Sequence, residues 1–247
     1  MMEMARVLVI AAHPDDEVLG VGGTIPLLKE GGCHVTVVVV TDGSSSQYLG
    51  DAAAKARKAA QLRDANSILG TDEVIAWDFP DMRLDGVAHV EVNHRFERLI
   101  EEWRFDTVFI HHHGDVNLDH QILYQSLLVA VRGVPDHPVR RVFTYYVNSA
   151  TEWGAERSEN TFVPNVFVAI DRTVDRKLTA LRAYTDELRR YPHPRSVEAV
   201  EIMARAFGMQ AGFTHAEPFR LVTARERLDA VMGLRQHSDW RGGCRPE

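Results

Sequence analysis

The 247-residue sequence predicts an α/β fold, a mainly parallel sheet flanked by helices, followed by a C-terminal α+β elaboration. Three observations predict it. Short apolar runs rich in β-branched residues recur at residues 7–12, 34–40, 73–79 and 106–110. Continuous runs of that length suit strands buried on both faces, as in a parallel sheet. Segments of helical character separate them, so strand and helix alternate. After about residue 132 the alternation gives way to strands and helices in mixed order.

Each element follows from local chemistry. Residues 7–12 (VLVIAA) form the first strand and run straight into His13, Pro14, Asp15, Asp16 and Glu17. Residues 18–29 (VLGVGGTIPLLK) read as a helix, ended by Gly31 and Gly32. Residues 34–40 (HVTVVVV) are the second strand; it closes on Thr41, Asp42 and Gly43, and Ser44, Ser45 and Ser46 make a polar loop at the same sheet edge. Residues 51–69, rich in Ala, Lys and Arg, make a helix stopped by Gly70. Residues 73–79 are the third strand, ending at Pro80 and Asp81. Residues 89–104 are amphipathic, with Val92, Phe96, Leu99 and Ile100 on one side. Residues 106–110 lead into HHHGDVNLDH, and 118–131 are helical. This order implies a parallel, Rossmann-like core over about residues 5–132, with right-handed crossovers. Beyond it, 141–147 and 165–170 read as strands, 173–190 and 196–206 as helices, and 219–223 as a last short strand. No repeat or Pro/Gly/Ser-rich linker divides the chain. Residues 1–236 therefore read as one domain, 133–236 being the elaboration, and 237–247 (HSDWRGGCRPE) as a flexible tail.

Composition narrows the partners. A hydrophobic content of 45% and a charged content of 26% are those of a globular protein, and a net charge of −7 argues against nucleic acid or anionic membrane as a main partner. Cys33 and Cys244 are too far apart to suggest a disulfide framework or a CxxC metal site. The N-terminus lacks a signal-peptide pattern, and no run reaches the ~18 apolar residues of a membrane span. A cytoplasmic protein acting on a small molecule is the expectation, with homo-oligomerisation left open.

The chemistry sits at strand ends. In an open α/β sheet, ligands bind beyond the carboxyl ends of the strands. There the chain places His13, Asp15 and Asp16, and again Asn117, Leu118, Asp119 and His120. Capping of the next helix by Asp15 or Asp16 would explain one carboxylate but not the His and second Asp beside it. His13, Asp16 and His120 instead make two nitrogens and one carboxylate, a catalytic zinc set with a position left for water. Zinc lowers the pKa of that water to ~7, and Asp15 is free to take its proton as general base. Two nitrogens and a carboxylate also suit Fe2+, Co2+ or Mn2+. Gly20, Val21, Gly22 and Gly23 do not make a dinucleotide loop: Ile25 stands where the last Gly belongs, and two acidic residues follow the strand directly.

Several stretches carry a resemblance: AHPDDEVLGVGGT (12–24), VTDG (40–43), FPDMRL (79–84), GDVNLDH (114–120), SATEW (149–153), HPRS (193–196), and the Lys177, Tyr184, Glu187 pattern. With these the sequence resembles the LmbE-like, or PIG-L-like, zinc-dependent N-deacetylases of N-acetylglucosamine conjugates. The resemblance implies the same ligands, His13, Asp16 and His120, with Asp15 as base and an amino-sugar conjugate as substrate. Many members have a His three residues before the metal His, oriented by the intervening Asp. Here that position is Asn117, while Asp119 is kept. An Asn amide can donate to an oxyanion but cannot deliver a proton at neutral pH. The leaving-group proton then falls to Asp15 or to another His, for which His193 is the candidate. Arg57 falls near a family position for sugar or phosphate contact, and Asp42 and Ser44 lie where they could bind substrate hydroxyls. Alternatives are an amidase acting on a larger acyl or thiol conjugate, and a catalytically reduced sugar- or metal-binding homologue, which retention of Asp15 argues against.

Overall fold

The structure, a computed structural model, describes residues 5–43, 51–154 and 158–226. At its centre is a seven-stranded sheet in the order β3-β2-β1-β4-β5-β7-β6. β1 (Arg6–Ala11) lies between β2 (His34–Thr41) and β4 (Thr107–His111), parallel to both. β3 (Glu73–Phe79) extends the parallel sheet on one side and β5 (Arg141–Tyr145) on the other. β7 (Ala216–Ala224) runs antiparallel between β5 and β6 (Val166–Ala169). The chain therefore builds outward from β1 in one direction, returns, and builds outward from β4 in the other. That reversal makes a crevice at the carboxyl ends of β1 and β4.

Strand periodicity sorts the core into two layers. Val7, Val9 and Ala11 of β1 join Leu62, Leu69, Leu178 and Leu181 on one face. Leu8, Ile10 and Ala12 join Phe96, Ile100, Leu123 and Leu127 on the other. Alternate residues of a strand face opposite ways, so an all-apolar run buries both faces, each large side chain contributing ~1.5–3 kcal/mol. One face carries α3 (Ala52–Leu69) and α6 (Val174–Ala183), and the other α4 (His89–Trp103) and α5 (Leu118–Ala130). α7 (Val197–Ala211) packs on β7.

Four elements depart from the sequence expectation. Residues 18–29 are not one helix but two, α1 (Asp16–Val21) and α2 (Thr24–Glu30), broken at Gly22 and Gly23. Glu217 holds the break open, accepting hydrogen bonds from the Gly23 and Thr24 N–H groups (2.8 Å each) and from Thr24 Oγ1 (2.6 Å). Lys177 of α6 neutralises Glu217 at 2.6 Å and donates to the Leu19 carbonyl. The expected helix over 173–190 ends at Ala183, because Tyr184 turns inward to donate its hydroxyl to the buried Glu17. The helix expected over 196–206 continues to Ala211, passing Gly208, where a Cβ would lie 2.7 Å from the Phe213 carbonyl oxygen. The last strand begins at Ala216, ahead of the expected 219, and sits inside the sheet. Among the described residues no helix is long and apolar enough to cross a membrane. The expected tail over 237–247 lies outside the described residues.

Candidate metal centre and its cleft

The centre forms where β1 and β4 end. The Ala12 N–H donates to His111 Nε2 at 2.8 Å, tying the two strand ends together. The chain then turns through Asp15, whose backbone (φ 119°, ψ −25°) lies in the left-handed region that residues with a Cβ rarely adopt. Asp16 folds back, accepting the His13 N–H at 2.9 Å. Its Oδ2 lies 3.3 Å from His13 Nδ1 and 3.4 Å from His120 Nε2. One ligand atom from each of these three residues lies within 4.8 Å of the others. His120 Nε2 is buried without a hydrogen-bond partner.

The outer ring nitrogens are held by other carboxylates. His120 Nδ1 lies 2.8 Å from Asp115 Oδ2. His13 Nε2 lies 3.2 Å from Asp119 Oδ2 and 3.4 Å from Asp81 Oδ1. Such partners set ring orientation and leave the inner nitrogens, His13 Nδ1 and His120 Nε2, to converge beside Asp16. Asp119 is anchored in turn by the Met82 N–H (2.8 Å) and Leu84 N–H (3.1 Å). Met82 also has a left-handed backbone, φ 55°. His111 stacks on His120 with ring centroids 3.8 Å apart.

Electrostatics follow from burial and crowding. Burial opposes charge on His13, but hydrogen bonds to Asp119 and Asp16 outweigh it and push its pKa up to about 10. His120 likewise, against burial, is pushed up to about 9 by Asp16 and Asp115. Burial would raise Asp16, yet His120, His111 and His13 hold it well below the usual carboxylate range. Asp15 is pushed well above that range, by burial first; Arg195 pulls against this, while Asp16, Glu187 and Glu17 add to it. Burial drives His111 well below its ordinary value. A cluster of carboxylates that holds protons on two converging imidazoles suits a divalent cation on the same lone pairs.

A cleft of about 310 Å³ opens on this cluster, lined by His13, Asp15, Asp16, Asn117 and His120 and by Lys58, Asp81, Met82, Ser149, Glu187 and Arg195. That volume is at the small end of ligand pockets. A second concavity of equal size, between the ends of α4 and α5 and the 131–138 loop, gathers no comparable group of converging ligands among the described residues.

The structure brings together His13, Asp15, Asp16, Asn117, Asp119 and His120. Asn117 caps α5, its Oδ1 accepting the Asp119 N–H at 2.9 Å, and its Nδ2 lies 3.4 Å from Met82 Sδ. His193 is half-buried and does not line the cleft. Its Nδ1 accepts the Arg195 N–H at 3.1 Å, and its ring meets Trp153 edge-on. Arg57 is exposed, 3.6 Å from Asp186, away from the cleft lining. Asp42 is half-buried, with its N–H donated to the Phe79 carbonyl; its neighbour Gly43 lines the cleft instead. Ser44 lies outside the described residues. Of the three consecutive histidines, His112 and His113 tie down the Asn160 and Glu159 carbonyls.

Lys58, Glu187 and Arg195 also line the cleft, a place their local sequence does not reveal. A Lys in an Ala-rich helix is ordinarily a solvated charge, but Lys58 is buried, 2.7 Å from Glu187. The signal was its spacing: Ala54, Lys58 and Leu62 stand four apart on the buried stripe of α3. Arg195 and Glu187 lie in the HPRS stretch and the Lys177, Tyr184, Glu187 pattern, with nothing local to show that they meet.

A family model described as PIG-L: GlcNAc-PI de-N-acetylase matches residues 8–131. Diacetylchitobiose deacetylase from Thermococcus kodakarensis is 25% identical over 240 residues, covering 89% of this chain and 84% of its own length. The probable N-acetyl-alpha-D-glucosaminyl L-malate deacetylase 2 of Bacillus cereus is 29% identical over 192 residues, covering 74% of this chain and 83% of its own. The crystal structure of a conserved protein from Thermus thermophilus matches with a TM-score of 0.72 at 26% identity, over 91% of this chain and 98% of that one. The family match takes in both strand ends that build the centre, and with it the chain belongs to the PIG-L, or GlcNAc-PI de-N-acetylase, family.

Proposed function

We propose that the protein is a metal-dependent hydrolase that removes the acetyl group from an N-acetylated amino sugar or its conjugate. One observation carries this: His13, Asp16 and His120 converge at a cleft whose wall presents a further buried carboxylate, Asp15. Two braced imidazoles and a carboxylate suit Zn2+, with Fe2+, Co2+ or Mn2+ as other occupants of the same donors. Such an ion, when bound, supplies Lewis acidity, polarising an acetamide carbonyl and bringing the pKa of water to ~7. The deacetylases among the similar proteins support an acetamido sugar as the substrate class. We read residues 1–236 as a single catalytic domain, since both the core and the elaboration line the cleft.

The chain's own residues divide the remaining work. Asp15 accepts a proton from the attacking water as the water oxygen bonds to the acetamide carbon. Burial raises the proton affinity of Asp15, which favours this uptake. Asp15 returns the proton to the sugar nitrogen as the C–N bond breaks, and acetate and the free amine leave. The Asn117 amide, whose Nδ2 lies 3.4 Å from the weak acceptor Met82 Sδ, donates to the developing oxyanion. The position of His193 outside the cleft lining supports Asp15 as the proton source. The test is Asp15→Ala: the variant keeps its metal and loses ~10³-fold or more in rate, the scale of a lost base. A near-wild-type rate with metal bound would overturn the assignment.

A further inference from the structure

How the base is held can be inferred on the deacetylase reading, and the inference stands on that reading. Three charged side chains from separate elements lead along the cleft to Asp15. Lys58 Nζ of α3 lies 2.7 Å from Glu187 Oε1, in the turn after α6. Arg195 Nη1, from the loop before α7, lies 3.2 Å from Glu187 Oε2 and 3.5 Å from Asp15 Oδ2. Arg195 Nε donates to Ser149 Oγ at 2.7 Å. Ser149 is itself fixed, its N–H donated to Glu152 Oε1 at 2.6 Å and its backbone left-handed at φ 70°. The guanidinium is planar, so contacts at Nε and Nη1 set its orientation as well as its place.

Asp15 needs such a partner. Its unusual backbone sends the side chain into the cleft but does not choose its rotamer. Among the described residues, Arg195 supplies the side-chain donor that reaches the Asp15 carboxylate. Arg195 and Lys58, the two Lys/Arg side chains lining the cleft, are both already paired with cleft carboxylates. That pairing suits them poorly to anchor an anionic substrate and well to brace a catalytic group. We propose that Arg195 is a positioning residue for Asp15: held by Glu187, itself fixed by Lys58, and by Ser149, it ties down Oδ2 and leaves Oδ1 to face the attacking water.

The test is amine release by the zinc-loaded full chain, from an N-acetylglucosamine glycoside, in wild type, Arg195→Lys, Arg195→Met, Asp15→Asn and the Asp15→Asn/Arg195→Met double variant. Arg195→Met keeps much of the side-chain stem, and Glu187 retains Lys58, so folding is preserved. A misplaced reacting group costs ~100-fold, so kcat of Arg195→Met falls by that order while KM and zinc content stay within about twofold. Arg195→Lys recovers part of the loss, and added guanidinium chloride raises kcat of Arg195→Met but not of wild type. In the Asp15→Asn background, Arg195→Met costs nothing further, because the two act as a unit. In crystals of Arg195→Met the Asp15 carboxylate leaves its wild-type position. A raised KM with unchanged kcat would make Arg195 a substrate anchor and overturn the proposal. So would the full loss appearing again in the Asp15→Asn background. A zinc-loaded wild-type enzyme that releases no amine from any of a panel of N-acetylglucosamine conjugates overturns the deacetylase reading itself, a failure visible before any variant is compared.

Discussion

Asp115 and Asp119 touch no reacting atom in this account, yet each fixes one imidazole of the centre. Asp115 takes His120 Nδ1 at 2.8 Å, and Asp119 takes His13 Nε2 at 3.2 Å. Removing such a partner lowers metal affinity ~10–100-fold, because the ring loses both its orientation and part of its basicity. Asp115→Asn and Asp119→Asn should each weaken zinc binding by that order in competition against a chromophoric chelator. Unchanged affinity in both would contradict the bracing role. At this scale the sequence was legible wherever neighbouring residues act together. His13 and Asp16 stand three apart after one strand, so their meeting could be read from spacing and the strand end. Lys58 and Glu187 are 129 positions apart, and Arg195 and Asp15 are 180 apart. Only the fold brings these together, and a Lys in an Ala-rich helix reads as solvated until its neighbours on the stripe are seen.

The elements show where periodicity suffices and where packing overrides it. The first four strands and α3, stopped by Gly70, were legible within a residue or two. The break between α1 and α2 was not, because its cause is Glu217, 194 positions downstream of Gly23. Gly20 is a second case of packing. A Cβ there would lie 2.2 Å from Tyr145 Cδ2, and Tyr145 is fully buried with its hydroxyl bound to the Ile10 carbonyl at 2.6 Å. The helix carrying Asp16 can approach the sheet this closely because the residue has no side chain. Gly20→Ala should therefore destabilise by ~1–3 kcal/mol in denaturant unfolding, the usual cost of overpacking. Gly86→Ala, which meets open space, serves as the control with little change. Equal unfolding midpoints for the two variants would show that α1 shifts freely and that the glycine is not required for packing.

Across the whole molecule, function follows from topology. The chain reverses direction across the sheet between β1 and β4, and both ligand-bearing turns leave from those two strands. A parallel core was legible from strand–helix alternation, as was the side of the sheet on which the chemistry falls. The strand order was not, nor the insertion of β7 between β5 and β6. These depend on long-range pairing that a local pattern does not encode. The elaboration lends the cleft Glu187 and Arg195 and props α1 and α2 apart through Glu217, so the core and its addition act on one site. The most direct test of the central claim is primary-amine release from a panel of N-acetylglucosamine conjugates, with the protein first chelated and then restored with zinc. No release is expected after chelation, with recovery and equimolar acetate on zinc addition. Release that survives chelation, or none from any substrate with zinc shown bound, would contradict it.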